Sequence, residues 1–138
     1  MSPRSGAIRA YVPLTSSSLA ALVAAGRLEG PLRAHAVTEA LRAEWPDGDE
    51  EGWEYAALMA AAATSRTLLT PADRPRRVVL AVDVPAVEPV AGDDPTLVDV
   101  AADVPWRTVA SAHVDPVDDA QDDDDLAWYA TQEIAHLL

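Results

Sequence analysis

The sequence predicts an α+β fold: a two-layer sandwich with a mixed sheet of about four to five strands and helices mainly on one face. Three observations lead there. Short segments alternate with period two, as in Ile8, Ala10 and Val12 or in Ala110, Ala112 and Val114. Stretches with helical spacing separate them. Each strand has one aliphatic side, whereas Arg9, Tyr11, His35, Asp83, Ser111, His113 and Asp115 gather on the other, which is expected to stay open and partly polar. The 138 residues fit one domain, 1–138.

Taken in order, Ala7 to Val12 reads as a half-buried strand that Pro13 stops. Thr15 or Ser16 caps a short helix with Leu19, Leu22 and Val23 on one face and Gly26 as its stop. After Gly30-Pro31, Arg33 to Val37 is a second strand, and the connection is long enough for a parallel crossover. Thr38 caps the helix Glu39 to Trp45, which Pro46 ends. The strongest helix runs from Glu50 to Leu69, with acids in its first turn and Arg66 near its end, both favoured by the helix dipole. Its expected buried stripe is Tyr55, Leu58, Met59, Ala62 and Leu69, and Ala60 to Ala63 keep its middle slim. Arg77 to Val84, apolar on both sides except at Asp83, is the expected central strand. Ala86 to Pro95 is a loop, Thr96 to Val100 a short edge strand, and Trp106 to Asp115 a further strand. An acidic linker, 115–125, leads to a C-terminal helix, 125–138, with Leu126, Ala130, Ile134 and Leu137 along one face.

Charge narrows the functions. Nine acids and nine arginines balance up to Arg77, and beyond it fourteen acids face Arg107 alone, which is the whole net charge of −13. Such a field repels nucleic acid and anionic lipid, so neither is an expected partner. With no Cys there is no disulfide and no thiolate zinc site. The start, Met1 to Ser5, shows no long apolar run, and no segment approaches the ~18 apolar residues of a membrane span. The expected location is the cytoplasm. All ten basic residues are Arg, and with abundant Ala, Val, Asp and Pro this reads as a GC-rich genome's codon usage.

Several short runs occur in a fixed order: Tyr11-Val12-Pro13-Leu14-Thr15, Ala36-Val37-Thr38, Glu54-Tyr55-Ala56-Ala57, Arg76-Arg77-Val78-Val79, His113-Val114-Asp115 and Trp128-Tyr129-Ala130-Thr131-Gln132-Glu133. In these the chain resembles a family of short actinobacterial proteins classed as a domain of unknown function. The resemblance spans nearly the whole chain, and its most specific piece is the final hexapeptide. It implies one domain in a bacterial cytoplasm and carries no activity, cofactor or site.

Candidate chemistry is therefore read from the residues. His113 and Asp115, two apart on a strand, project to one face, where an imidazole beside a carboxylate serves as a general base or as two metal ligands. The plainer alternative is a surface His followed by an Asp that starts a turn. Spacing places no third ligand, so no metal and no cofactor are expected. Trp128, Gln132 and His136 recur at helical spacing, with Tyr129 and Glu133 beside them; this suits either a small-molecule pocket or helix docking. Glu54 and Tyr55 on the long helix add a carboxylate that could meet Glu133 across the core. Asp122 to Asp125 lacks the alternating ligands and central Gly of a calcium loop and reads as a solvated approach to a helix N-terminus.

Two functions follow. The first is a non-enzymatic interaction or regulatory module that binds a protein partner or its own copy through the open sheet face or the last helix. The second is a small-molecule-binding or hydrolase-like enzyme with a cleft around His113, Asp115, Glu133 and Tyr11. Convergence of those four side chains favours the enzyme, and their dispersal favours the module.

Overall fold

Strand β1 (Ile8–Leu14) lies near the middle of a seven-stranded sheet in a computed structural model that describes residues 7–137. The start, Met1 to Ser5, and Leu138 of the expected last helix lie outside the described residues. After β1 come α1 (Ser16–Ala25), β2 (Arg27–Leu28), β3 (Leu32–His35), α2 (Glu39–Glu44), α3 (Glu50–Leu68), β4 (Val78–Val84), β5 (Glu88–Pro89), β6 (Leu97–Val100) and β7 (Val104–Pro105). The 3-10 turn η1 (Trp106–Thr108) leads into β8 (Val109–Val114), and the chain closes with β9 (Ala127–Ala130) and the 3-10 helix η2 (Thr131–Leu137). The sheet order is β5-β6-β3-β1-β4-β8-β9, and β2 with β7 forms a separate ribbon.

The α+β class holds, with seven strands in the sheet instead of four to five. Every pairing is antiparallel, so the sheet is not mixed. The expected parallel crossover between the first two strands is replaced by an antiparallel pair that sets Tyr11 opposite His35. The ribbon of β2 and β7 takes up the intervening chain and diverts it. Local chemistry fixes this detour. Gly26 closes α1 in the left-handed region at φ 77°, its N–H reaching Leu22 O at 2.8 Å. At Gly30 any Cβ would collide with the backbone of Ala102, so only glycine admits that close approach.

Helices cover both faces, which corrects the one-sided expectation. The aliphatic face of Ala10, Val12, Val78, Leu80, Val82 and Ala112 packs under Leu19 and Leu22 of α1 and Ile134 of η2. Aliphatic side chains exposed on a whole sheet face would cost too much to leave uncovered. The long helix α3 instead lies on the face expected to be open, over β1, β3 and β4. Its buried stripe is Ala57, Ala61, Ala62 and Ser65, so of the expected stripe Ala62 is buried, whereas Tyr55 is half exposed. Small side chains let the helix axis approach a surface already occupied by Tyr11, Val79 and Ala81. A stripe of Tyr55 and Met59 would hold it away.

Two further corrections follow from local geometry. Between Ala81 and Val82 the pairing of β4 with β8 shifts by a residue, so Val82 faces Val109 while Ala81 faces Ser111. This bulge turns Val109 to the aliphatic core with Ala112, and Ala110 to the α3 side. Strict alternation groups Ala110 with Ala112 and Val114 and puts Val109 on the other face, so the bulge reverses both. The expected helix 125–138 begins as strand β9, paired to β8 with Trp128 opposite His113, and only then winds into η2. An exposed β8 edge offers backbone partners that a lone helix cannot use, and Trp128 and Tyr129 favour strand geometry.

Ile134 is fully buried in η2, while His136 is exposed. Ile134→Ala should lower stability by roughly 2–5 kcal/mol in urea denaturation, and His136→Ala should leave the midpoint unchanged.

Candidate functional site

On the α3 side of the sheet the polar residues form paired contacts. Arg9 and Asp83, directly opposite across β1 and β4, meet with Nε to Oδ1 at 2.8 Å. Tyr11 donates its hydroxyl to Glu54 Oε2 on α3 at 2.5 Å. Burial, followed by this bond, pushes the Tyr11 phenol well above its ordinary value, so it stays protonated. Ser111 and His113, two apart on β8, bring Oγ and Nε2 to 3.1 Å. Burial, and then the nearby Arg9 charge, lower the His113 pKa, so the ring is neutral near pH 7. Trp128, 61% exposed, stands across the strand pair from it.

The expected cluster of four does not assemble. Tyr11 and His113 share this face, but Asp115 is turned inward and committed to Arg77. Both residues are 1% exposed. Arg77 Nε and N donate to Asp115 Oδ2 at 2.9 and 2.8 Å, and Nη2 donates to Oδ1 at 2.8 Å. The guanidinium also reaches the carbonyls of Asp122 and Asp124, at 2.9 and 2.8 Å. These bonds to Asp115, against the cost of burial, hold the Arg77 charge in place. Glu133 is exposed and accepts the Ala130 N–H at 2.9 Å, the carboxylate half of a capping box for η2. It does not meet Glu54.

The remaining candidates scatter. Tyr55 donates to Asp125 Oδ1 at 2.7 Å on the surface. Gln132 is exposed, and Tyr129 leans against the opposite, aliphatic core. Among the described residues no group of three or more His, Asp or Glu is placed to hold a metal ion. His35, 1% exposed, joins three elements: Nδ1 to Thr96 Oγ1 at 2.8 Å, Nε2 to Thr64 Oγ1 on α3 at 2.9 Å, and Asp94 Oδ2 at 3.5 Å. Burial lowers its pKa despite Asp94, so it serves as a neutral bridge.

What this arrangement offers chemically is narrow. A neutral His113 is positioned to accept the Ser111 proton, yet Ser111 is only 4% exposed and no carboxylate hydrogen-bonds the other ring nitrogen among the described residues. Sequence reasoning missed Arg77, although a charged residue abutting the all-apolar run Val78 to Val82 was a signal for a buried partner. It also missed a cavity of about 270 Å³ on the opposite, aliphatic side, lined by Leu19, Val78, Val114, Tyr129 and Leu137, because nothing in linear spacing joins α1 to η2.

Residues 8–122 match a family of unknown function, DUF6912. The chain belongs to that family. The matched stretch ends before β9, so the hexapeptide Trp128 to Glu133 lies beyond it. No curated protein and no solved structure matches the chain.

Removing one member of a buried ion pair strands the other. Arg77→Met should therefore cost about 3–5 kcal/mol in chemical denaturation, and adding Asp115→Leu should recover part of that loss. A second expectation concerns pH. The histidine reference value is 6.5, and His35 and His113 lie below it in the fold, so the unfolded chain takes up protons first as pH falls. Their stabilisation is complete above 6.5 and declines as pH drops through 6.5 towards the folded values. Thermal melts between about pH 7 and 5 should show this slope, reduced in His113→Gln.

Proposed function

We propose that the protein is a non-enzymatic interaction module whose contact is β9, and that its partner is an extended basic segment added as a further strand. One observation carries the reading. On the outer side of β9 no strand is paired among the described residues, while the strand carries the exposed Trp128 and follows the exposed run Asp122 to Asp125. The other edge of the sheet is blunted: β5 has two residues, one of them Pro89, which lacks a backbone donor. An unpaired edge binds peptides through main-chain hydrogen bonds, with side-chain contacts adding selectivity. Charge selects the occupant. Two copies each carrying −13 repel, and the acidic approach to β9 favours Lys- and Arg-bearing chain instead.

The hydrolase-like alternative now rests on Ser111 and His113, since Asp115 and Glu133 are engaged elsewhere. The all-arginine basic complement supports the bacterial, actinobacterial source that the resemblance implies. The proposal places the module in the cytoplasm, where a cysteine-free chain folds without an oxidising environment.

Titration with a short peptide alternating Lys and Val, followed by calorimetry, tests the reading. Binding should weaken as salt rises and be lost in Trp128→Ala. A Glu–Val peptide that binds equally well would overturn it. So would sedimentation showing a dimer that Trp128→Ala dissolves while neither peptide binds, which would identify a second copy as the occupant.

A further inference from the structure

The cavity between α1 and η2 has a composition that selects a ligand class. Its floor and walls are mostly apolar: Leu19 and Ala20 of α1, Val78 and Val114 at the ends of β4 and β8, and Leu137 of η2, joined by Tyr129. Ser16 and Ser17 at the start of α1 also line it, but Ser16 Oγ already accepts Arg74 N at 2.9 Å and Ser17 Oγ already donates to Asp73. Arg74 and Arg76 line it as well. These two guanidinium groups share one carboxylate. Arg76 Nε lies 2.6 Å from Asp118 Oδ1, and Arg74 Nη2 is 3.9 Å from the same oxygen. The other carboxylate nearby, Asp73, is turned to the start of α1, where it accepts Ser17 N at 3.0 Å and Ser17 Oγ at 2.5 Å and also binds Thr70. The N-terminus of α1 is thus already served from within the chain by Asp73, which leaves Asp118 as the carboxylate that Arg74 and Arg76 share at the cavity. Asp118 is half exposed, on the acidic segment, so a competing anion can replace it without burying a charge.

We infer that this cavity binds a small amphipathic monocarboxylate, its apolar body between α1 and η2 and its carboxylate on Arg76 and Arg74 in place of Asp118. Size sets the upper limit: about 270 Å³ lies below the ~300–1,000 Å³ of sites for drug-sized ligands. The lining excludes sugars and nucleotides, which would leave many polar groups without partners against valine and leucine. The arginines exclude cations, and their planar fork matches a carboxylate. The site lies on the aliphatic face, opposite His113 and the exposed Trp128, and meets β9 only through Tyr129, so it is tested apart from the strand-addition reading.

Calorimetry on the intact chain with octanoate, octan-1-ol and octylammonium tests this. Octanoate should bind saturably and raise the melting temperature in proportion to its occupancy. The alcohol should bind at least about tenfold more weakly and octylammonium not measurably. Arg76→Gln should weaken octanoate about tenfold while leaving the alcohol unchanged, which separates loss of the charge contact from loss of the fold. Asp118→Asn should tighten octanoate, because the internal competitor is gone. Ala20→Leu, which fills the cavity from an already folded helix, should abolish both. Octylammonium binding as well as octanoate would overturn the inference. So would a loss of both ligands in Arg76→Gln, an Asp118→Asn variant that binds no better than the parent, or undiminished octanoate binding in Ala20→Leu.

Discussion

The fold depends on Arg77 finding Asp115. Arg77 immediately precedes β4, the strand that pairs with both β1 and β8, and Asp115 immediately follows β8. Their side chains close the same end of the strand pair that Asp115 N to Arg77 O, at 3.1 Å, closes through the backbone. Each charge is unaffordable in the interior without the other, because desolvation of a lone ion exceeds any packing gain. The pair therefore specifies alignment. A slip of one residue between β4 and β8 would separate guanidinium from carboxylate and would also turn Val78, Val82 and Val84 away from the aliphatic core. Ser65 Oγ reinforces the same point by donating to Leu14 O at 2.6 Å and accepting from Val78 N at 2.9 Å, which ties α3 to the adjoining ends of β1 and β4.

From this fixed end the two layers differ in kind. The aliphatic side is sealed by branched side chains from α1 and η2, and it leaves the cavity where α1, η2 and the strand ends do not quite meet. The α3 side is sealed by alanines and by hydrogen bonds: Tyr11 to Glu54 and His35 to Thr64 pin the helix at two points along its length. Polar residues there organise the helix–sheet contact. That explains why a face that reads as a binding surface in the sequence is largely spent on architecture at its centre, with the β8–β9 flank and the exposed Arg33, Asp99 and Glu88 of the opposite flank outside the footprint of α3.

Much of the secondary structure was legible. The caps at Thr15 and Thr38 and the central strand after Arg77 all announce themselves through local chemistry within a few residues. What was not legible depends on partners far along the chain. Whether Trp128 and Tyr129 adopt strand or helix is decided by the exposed β8 edge. The face of Val109 is decided by the bulge opposite Val82. Which stripe of α3 is buried depends on how much room the sheet leaves, so Ala57 and Ala61 displaced Tyr55 and Met59 against the usual weight of large apolar residues. For the candidate site, Tyr11 and His113 were placed together on one side, but Glu54 was expected to meet Glu133 and instead meets Tyr11, and Asp115 was misjudged because the parity of a strand ends where the strand ends. Arg77 then claimed its carboxylate.

The grip on the acidic segment has a consequence for how this stretch can change over time. Arg77 holds it by the carbonyl oxygens of Asp122 and Asp124, groups that every residue type supplies. The anchor is therefore blind to side-chain identity and sensitive to spacing. Aspartates there are interchangeable with Asn, Ser or Gly as far as the anchor is concerned, whereas inserting or deleting a residue between Asp115 and Asp124 shifts the carbonyls out of reach. As far as this anchor goes, related chains should tolerate substitution at positions 122 and 124, and any that differ in the length of the stretch should carry a compensating change in it that restores two carbonyls to the guanidinium.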